Sequence, residues 1–275
     1  QIFHNLHRNT TKNSRRNIAA HYDLGNDFFR LFLDENLMYS AAIFPEIDSS
    51  LESASQHKLD RICQKLELSP DDHVIEIGTG WGGFALHAAK HYGCKITTTT
   101  ISEEQYLLAK TRIQNAGLNE RIEVKHTDYR NLKGQYDKLV SIEMIEAVGH
   151  HYYDTYFSKC SALLKTDGLM LLQAITIGDW FFDAHKHTVD FIKRYIFPGS
   201  CIPSLTAISK SIAKETDLRI VDLLDIGPHY ARTLRIWRER FFSSIDCVRE
   251  QGFNDEFIRM WHFYLSYCEA GFSER

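Results

Sequence analysis

Between residues 71 and 175, two patterns of apolar and polar positions alternate along the chain. Short runs rich in β-branched residues alternate with stretches whose apolar residues recur at helical spacing. The strand-like runs are His73–Gly78, Lys95–Thr100, Ile122–Lys125, Lys138–Ile142 and Gly168–Ile175. Helices are predicted at Phe84–His91, from Ser102 (the N-cap) to Ala116 with Gly117 as its stop, and at His151–Leu164. This alternation predicts βαβ units and a mostly parallel sheet with helices on both faces.

The pattern changes on either side of this stretch. Residues 1–70 read as helical and include an amphipathic segment at Leu51–Leu66, so we expect an N-terminal helical cap. Residues 178–203 are rich in aromatic side chains and predict a helical lid insertion after strand five. Beyond it we predict helices at Ser204–Glu215, Tyr230–Glu250 and Asn254–Ala270, and a sixth strand at Leu218–Ile226. The predicted domains are therefore the cap, 1–70, and an α/β domain, 71–275, that carries the lid.

The amino-acid composition excludes several classes of protein. The chain has 275 residues, 44% of them hydrophobic and 25% charged, as in ordinary globular proteins. Its net charge of −4 argues against a nucleic-acid partner. The six cysteines are scattered and predict neither a metal site nor a disulfide framework. The first residues are polar, which argues against a signal peptide, and the chain contains no run of about 18 apolar residues that could span a membrane. We therefore expect a cytoplasmic protein. Its first residue is not Met, so we also expect that its start has been trimmed.

A glycine-rich loop joins the first strand to the first helix of the sheet. Gly78, Gly80 and Gly83 satisfy the spacing G-x-G-x-x-G, with Gly82 between them. Glycines allow a tight turn and a close approach of the backbone to a ligand, but this spacing alone is also found in dinucleotide sites. An NAD site needs an acid at the end of strand two, where this chain has Thr99, Thr100 and Ile101.

The acidic residues near the predicted cofactor site lie at positions other than the end of strand two. Glu76 lies on strand one, and Asp128 and Tyr129 follow strand three, where they suit hydrogen bonding to and stacking on an adenine ring. This set favours S-adenosylmethionine over NAD as the cofactor of a class I (Rossmann-like) methyltransferase fold.

Longer motifs make the chain similar to one family. It resembles the cyclopropane-fatty-acyl-phospholipid synthase and mycolic acid cyclopropane synthase family of S-adenosylmethionine-dependent methyltransferases. The segments that carry the resemblance, in the family's order, are His21–Phe29, Met38–Ser40, Glu76–Gly83, Ser141–Gly149, Ile196–Gly199 and His229–Leu234. They cover most of the chain, and several are not generic to methyltransferases. The last strand of the family's sheet would lie beyond Arg275.

The resemblance implies a reaction. A methyl group passes from the sulfonium to a cis double bond of a phospholipid acyl chain, and loss of a proton from the resulting carbocation closes a cyclopropane ring. Family members hold a bicarbonate that serves as the base. By position its holders here would be Glu146, Tyr230, the backbone of Ile175, and the residues at Ala41 and Gln173. The implied cofactor contacts are Tyr39, Ser40, Gly78, Gly80, Thr100, Ile101, Gln105, Asp128 and Tyr129.

Two of these positions depart from the family's usual residues. Ala41 stands where a cysteine is usual, and Gln173 where a histidine is usual. Gln can donate a hydrogen bond to an anion but cannot take up a positive charge, and Ala offers no polar group. The residues present therefore support the methyl-transfer step better than they support the later step, in which a proton is removed.

Elementary chemistry agrees with the implied reaction. An alkene is a weak nucleophile, so the site must exclude water and stabilise a cation. Aromatic faces can do so, and the candidates are Tyr22, Tyr39, Phe181 and Tyr230. Glu146 follows strand four at the sheet's carboxyl edge, where open α/β sheets bind ligands, and an apolar pocket would perturb its pKa.

Plainer interpretations remain for these residues. Glu146 could cap a helix, and Tyr230 could simply pack in the core. The side-chain amide of Gln173 could form hydrogen bonds that only stabilise the fold.

Alternative functions also remain open. One is a small-molecule amine N-methyltransferase, because some such enzymes resemble this family. Another is a lipid-binding relative without catalysis. We expect a peripheral interaction with a phospholipid membrane surface, towards which the basic residues Arg8, Lys12, Arg15 and Arg16 could contribute, and a homodimer is left open.

Overall fold

The computed structural model describes residues 9–10, 13–14 and 24–274 of the chain. Tyr22 and the rest of His21–Asp23, together with Arg8, Lys12, Arg15 and Arg16, lie outside the described residues, and so does Arg275. Five strands form one sheet, namely β1 (His73–Ile77), β2 (Lys95–Thr100), β3 (Ile122–His126), β4 (Tyr136–Ile142) and β5 (Leu164–Gln173).

Ten α-helices accompany the sheet in the described part of the chain. They are α1 (Asn26–Arg30), α2 (Leu51–Lys65), α3 (Gly83–Tyr92), α4 (Glu103–Asn115), α5 (Tyr153–Leu163), α6 (Asp179–His187), α7 (Leu205–Glu215), α8 (Gly227–Ser243), α9 (Ile245–Glu250) and α10 (Asp255–Glu274). Short 3-10 turns lie at Tyr129–Asn131, Ile145–Ala147 and His150–Tyr152, and a π-helical turn at Ile192–Ile196. None of these helices has both the length and the apolarity needed to cross a membrane.

The strand order is β3-β2-β1-β4-β5, and every neighbouring pair is parallel. The chain runs outward from β1 to β3, returns to β4 beside β1, and then runs outward the other way. Because parallel crossovers share one hand, the helices of the two halves cover opposite faces of the sheet. This confirms the predicted α/β class and places the point of reversal between β1 and β4.

Packing divides the chain into two compact units. One comprises Cys63–Leu223 with the described residues before Leu24, and the other comprises Leu24–Ile62 with the described residues from Leu224 onwards. The division at residue 70 that the sequence suggests stays a prediction.

The sheet unit is held by apolar burial on the strands. Ile75, Leu139, Tyr156 and Phe157 are fully or almost fully buried in one cluster with other residues of β1, β4 and α5. The predicted helical insertion after strand five is present as α6 and the π-helical turn.

The helical unit is built around aromatic rings. Phe28 of α1 contacts Trp261 and Phe253, with ring centroids 4.9 Å apart in each pair. Trp237 and Phe241 of α8 are fully buried in the same unit. The helical character expected for residues 1–70 is therefore found in α1 and α2, while residues 31–50 follow irregular turns.

The sixth strand predicted at Leu218–Ile226 is wrong. No strand lies there, and none of the described strands pairs with this segment. Val221 and Leu223 are 85% and 63% exposed. Alternating apolar residues form a strand only where a neighbouring strand takes their backbone hydrogen bonds and a core takes one face.

Strand five also differs from its expected bounds, because it spans Leu164–Gln173 and not Gly168–Ile175. The backbone N–H of Ile175 donates to the side chain of Glu146 and thus leaves the ladder of the sheet.

We expect Ser204→Ala to destabilise the sheet unit. Ser204 caps α7, since its Oγ accepts from the N–H of Ala207 at 3.2 Å, and loss of such a cap costs about 1 kcal/mol. Ser209 of the same helix is exposed and its Oγ donates to a carbonyl of that helix, so Ser209→Ala should be nearly neutral. Urea unfolding followed by circular dichroism measures both, and equal losses would contradict the assigned cap.

Candidate active site

The glycine loop follows β1 and turns the chain into α3. Gly78, Gly80 and Gly82 have φ values of +101°, +51° and +85°. A Cβ at Gly78 would lie 3.1 Å from Cγ of Met144, so the loop closely approaches the segment after β4. A Cβ at Gly80 would meet nothing within 4 Å. The loop thus presents bare backbone to open space at the carboxyl edge of the sheet, which fits close approach by a nucleotide-like ligand.

The end of β2 forms a compact polar turn. Thr100 Oγ1 donates to Oε1 of Gln105 at 2.9 Å and accepts from the N–H of Ser102 at 3.1 Å. Ser102 in turn caps α4, as the sequence predicts. The predicted contacts Thr100, Ile101 and Gln105 are therefore adjacent, and no carboxylate stands at this position for a dinucleotide ribose.

Glu76 lies inside β1 and is fully enclosed. Its Oε2 accepts from the hydroxyl of Thr98 at 2.6 Å, and Thr98 also contacts the hydroxyl of Thr79. Burial raises the pKa of Glu76 to about 8. This carboxyl lies beneath the glycine loop and supports it from within the sheet.

Asp128 and Tyr129 follow β3, and both are engaged within the protein. The carboxylate of Asp128 accepts from Nε and Nη2 of Arg130 at 2.9 and 2.6 Å, and from the Arg130 N–H. The ring of Tyr129 packs edge-on against Tyr156 with centroids 5.5 Å apart, and burial raises the pKa of its hydroxyl. Arg130 was not predicted from the sequence, although its spacing of two from Asp128 is typical of a carboxylate that caps a turn.

Glu146 sits in the 3-10 turn that follows β4. Its Oε1 accepts from the N–H of Ile175 at 2.5 Å, while its Oε2 is buried with no hydrogen-bond partner in the described part of the chain. Burial, aided by the nearby charge of Glu143, raises the pKa of Glu146 to about 8. An orphaned, buried carboxyl oxygen is costly and marks a group kept for chemistry or for an unseen partner.

Gln173 ends β5 and is bound to a residue that the sequence did not suggest. Its Nε2 donates to Oε1 of Glu143 at 2.9 Å. The sequence signal for Glu143 was slight, a second acid three positions before Glu146.

The remaining predicted residues lie in the helical unit. Tyr39 packs against Trp237 with ring centroids 5.3 Å apart, and its hydroxyl shares a 2.9 Å hydrogen bond with the hydroxyl of Tyr264. Ser40 Oγ accepts from the fully buried Nζ of Lys58 at 2.6 Å.

Two further predicted residues of this unit are buried. Ala41 is 1% exposed. Tyr230 packs its ring on Phe272, with centroids 4.5 Å apart.

The donors expected to hold bicarbonate do not form a free cradle in the sheet unit. The N–H of Ile175 is taken by Glu146, and the amide of Gln173 by Glu143. Ala41 adds no polar side chain. Among these groups of the described sheet unit, only Oε2 of Glu146 stays without a partner, so the residues do not fit the anion in this arrangement.

Comparison with known proteins assigns the family. A sequence model of the mycolic acid cyclopropane synthetase family matches residues 9–275. A tuberculostearic acid methyltransferase of Mycobacterium tuberculosis is 44% identical over 266 residues, which cover 94% of this chain and 62% of that protein. The cyclopropane-fatty-acyl-phospholipid synthase of Escherichia coli is 40% identical over 255 residues, covering 93% of this chain and 64% of that protein. This chain thus spans somewhat under two thirds of the length of these relatives.

A solved structure agrees with the sequence matches. A mycolic acid cyclopropane synthase crystallised with SAH and CTAB superposes with a TM-score of 0.87 at 30% identity, covering 94% of this chain and 93% of that one. The family match, the sequence relatives and the shared fold lead to one conclusion: the chain belongs to the mycolic acid cyclopropane synthetase family.

Proposed function

We propose that this chain is an S-adenosylmethionine-dependent methyltransferase that acts on the double bond of unsaturated acyl chains in phospholipids. The observation that carries the proposal is the buried Glu146 carboxyl in the turn after β4, which has a pKa near 8 and one oxygen without a hydrogen-bond partner among the described residues. The segment that bears it is packed against the glycine loop, through Met144 and Gly78. A proton-exchanging group therefore lies beside a turn suited to a nucleotide-like cofactor.

The family relatives support the same chemistry. Two relatives that each cover over nine tenths of this chain are named for methyl or methylene addition to fatty acyl groups. The structural neighbour was solved with SAH, the form that the cofactor takes after giving up its methyl group. Support for phospholipid-bound chains in particular comes from the name of the Escherichia coli relative.

The proposed cofactor site uses the loops at the carboxyl ends of β1, β2 and β3. Bare backbone at Gly80, where a Cβ would meet nothing within 4 Å, would let the ligand approach, and the turn at Thr100 and Gln105 offers neutral hydrogen-bonding groups. When bound, S-adenosylmethionine supplies an electrophilic methyl group on a sulfonium. Asp128 could join this site only by sharing the oxygens that now bind Arg130.

The role proposed for Glu146 is to take up the proton that the substrate loses. Methyl transfer to the alkene leaves a carbocation, and the electron pair of a departing C–H bond then closes a ring or forms a double bond. A base works best when its pKa lies near the working pH, and a pKa of about 8 meets that condition. Because the bicarbonate cradle is not formed, we derive no step through that anion.

We also infer that the protein meets its substrate as a peripheral protein at the cytoplasmic surface of a membrane. Of the four tryptophans, Trp180 is 89% exposed, whereas Trp81, Trp237 and Trp261 are buried. Phe181 packs beside it at 5.4 Å and is 44% exposed. Exposed aromatic rings of this kind favour the boundary between water and lipid. The homodimer stays a prediction.

Gly80→Ala should weaken cofactor binding. Alanine at φ +51° costs about 1 kcal/mol, and its Cβ would project into the open space above the loop. Gly117, with φ +67° and equal space, ends α4 at the opposite edge of the sheet and serves as the matched control. Calorimetric titration with SAH should show at least about tenfold weaker binding for Gly80→Ala and no change for Gly117→Ala. Equal affinities for the two variants would contradict the cofactor site.

Glu146→Gln should abolish turnover to the finished lipid product, because the carbocation left by methyl transfer cannot lose its proton, and should leave SAH binding intact. The amide keeps the size of the side chain but cannot accept the substrate proton. The measurement is transfer of label from S-adenosylmethionine into lipid, with vesicles of unsaturated phospholipid compared with saturated ones. Glu123→Gln, which removes a carboxylate from β3 away from this segment, should keep full activity. Label in amines but not in unsaturated lipid would contradict an acyl double bond as the substrate.

The rate of product formation should rise with pH and level off above about pH 8. Glu146 acts in its ionised form, and burial holds its pKa near 8, so each pH unit below that value lowers the ionised fraction about tenfold. Initial rates at saturating cofactor, measured across pH in buffers with and without bicarbonate, test this. A rate that needs added bicarbonate, or that is flat from about pH 6 to about pH 9, would overturn the assignment of Glu146 as the base.

A further inference from the structure

Asn9 is buried in the sheet unit, although β1, the first strand, begins only at His73. It is 6% exposed. Asparagine is mostly found on protein surfaces, and a buried side-chain amide needs hydrogen-bond partners. The partners of Asn9 therefore show which parts of the unit this distant residue serves.

The side chain of Asn9 bonds to two separate segments at once. Its Nδ2 donates to the carbonyl of Ala147 at 2.9 Å and to the carbonyl of Gly199 at 2.8 Å. Ala147 ends the 3-10 turn that carries Glu146, and Gly199 lies just after the π-helical turn of the insertion that follows β5. The two hydrogens of one NH2 group allow both bonds to form together. Asn9 thus joins the turn to the insertion.

The same two segments are also bonded directly to each other. The N–H of Cys201 donates to the main-chain carbonyl of Glu146 at 2.8 Å. We call this contact, between residues 145–149 and residues 199–201, the seam. The main chain of Glu146 is therefore fixed by the seam, while its side chain accepts from Ile175 beyond β5.

The two sides of the seam approach each other closely. A Cβ on Gly149 would lie 3.4 Å from the carbonyl oxygen of Gly199 and 3.5 Å from Nδ2 of Asn9. Carbonyl oxygens brought together from two segments repel each other unless a donor lies between them. A carboxamide suits this place, because it offers two N–H donors on one uncharged atom and its burial requires no counter-charge.

The main chain of Asn9 is held by Arg130. Nη1 of Arg130 donates to the carbonyl of Asn9 at 3.0 Å, and Nη2 donates to Oγ of Ser14 at 3.3 Å. The same guanidinium binds the carboxylate of Asp128 in the loop after β3. Asn9 is thus anchored to that loop through its carbonyl, while its side chain bridges the seam.

We propose that Asn9 is a positioning residue for Glu146, because its side chain holds the two sides of the seam together and so fixes the turn that bears the carboxyl. It acts through the main chain of that turn and needs no contact with the substrate. A displacement of about 1 Å at a reacting group can lower a rate about a hundredfold. The inference rests on the proposed function only for the use of Glu146 as a base.

The first test is Asn9→Leu, which nearly keeps the size of the side chain and removes both donors. Hydrogen exchange, read by mass spectrometry at times short enough that β1 stays protected, reports on the seam. We expect exchange at residues 145–149 and 199–201 to be at least about tenfold faster. Asn119→Leu, at an exposed position before β3, is the matched control and should change nothing there. Unchanged exchange at the seam in Asn9→Leu would overturn the proposal.

The second test separates positioning from a general loss of structure. Asn9→Leu keeps the main-chain carbonyl that Arg130 binds, so its affinity for SAH should be unchanged. Calorimetry with SAH also counts the folded sites, and the rate of lipid product formation is then expressed per site. The proposal predicts a rate per site that is at least about tenfold lower. A merely structural role lowers the number of sites and leaves the rate per site unchanged, and that result would refute positioning.

Asn9→Ala decides the question if Asn9→Leu does not fold. It also removes both donors but leaves space, so that water can reach the two carbonyls, and we expect shifts in the same direction of smaller size. The exchange measurement needs no turnover. A faster-exchanging seam in a protein that methylates no lipid would therefore support the role of Asn9 in holding the turn and would refute the proposed function.

Discussion

Parallel pairing of β1 with β4 is the constraint on which the site depends. Their register, with Glu76 opposite Val140, brings the ends of both strands to the same edge of the sheet. The glycine loop after β1 and the acidic loop after β4 therefore meet, and a Cβ at Gly78 would lie only 3.1 Å from Cγ of Met144. The strand order reverses between β1 and β4, so the crossover helices on either side lie on opposite faces of the sheet. The edge between them therefore stays open to a ligand.

Two buried glutamates at this edge have different surroundings. Burial raises the pKa of both Glu76 and Glu146 to about 8. Glu76 lies within a strand and is bound by the Thr98 hydroxyl. Glu146 lies after a strand end, where one of its oxygens accepts from a backbone N–H and the other has no hydrogen-bond partner among the residues that the structure describes. An enclosed, bonded carboxyl stabilises its surroundings, whereas a half-bonded one is available for proton exchange.

The two departures from the family's usual residues take on a physical meaning together. Ala41 has no polar side chain where the family usually has a cysteine, and the side-chain amide of Gln173 donates a hydrogen bond to Glu143. The proposed reaction therefore places the proton-removing function on Glu146 itself. In the proposed reaction, methyl transfer and proton removal therefore depend on different residues, the first on the glycine loop and the second on the loop after β4.

The sequence alone determined the parts of the molecule that local rules control. Strand and helix alternation, the cap at Ser102 and the glycine loop all follow from residues close together in the chain, and the family motifs marked Glu146. The sixth strand at Leu218–Ile226 failed because a strand needs a partner, which no local pattern supplies. Only the tertiary structure decided that Gln173 binds Glu143, thirty positions away, and that one buried oxygen of Glu146 has no partner within the described part of the chain. Hydrogen-bond partners and burial, which set proton affinity, come from strands that are neighbours in space and not in sequence.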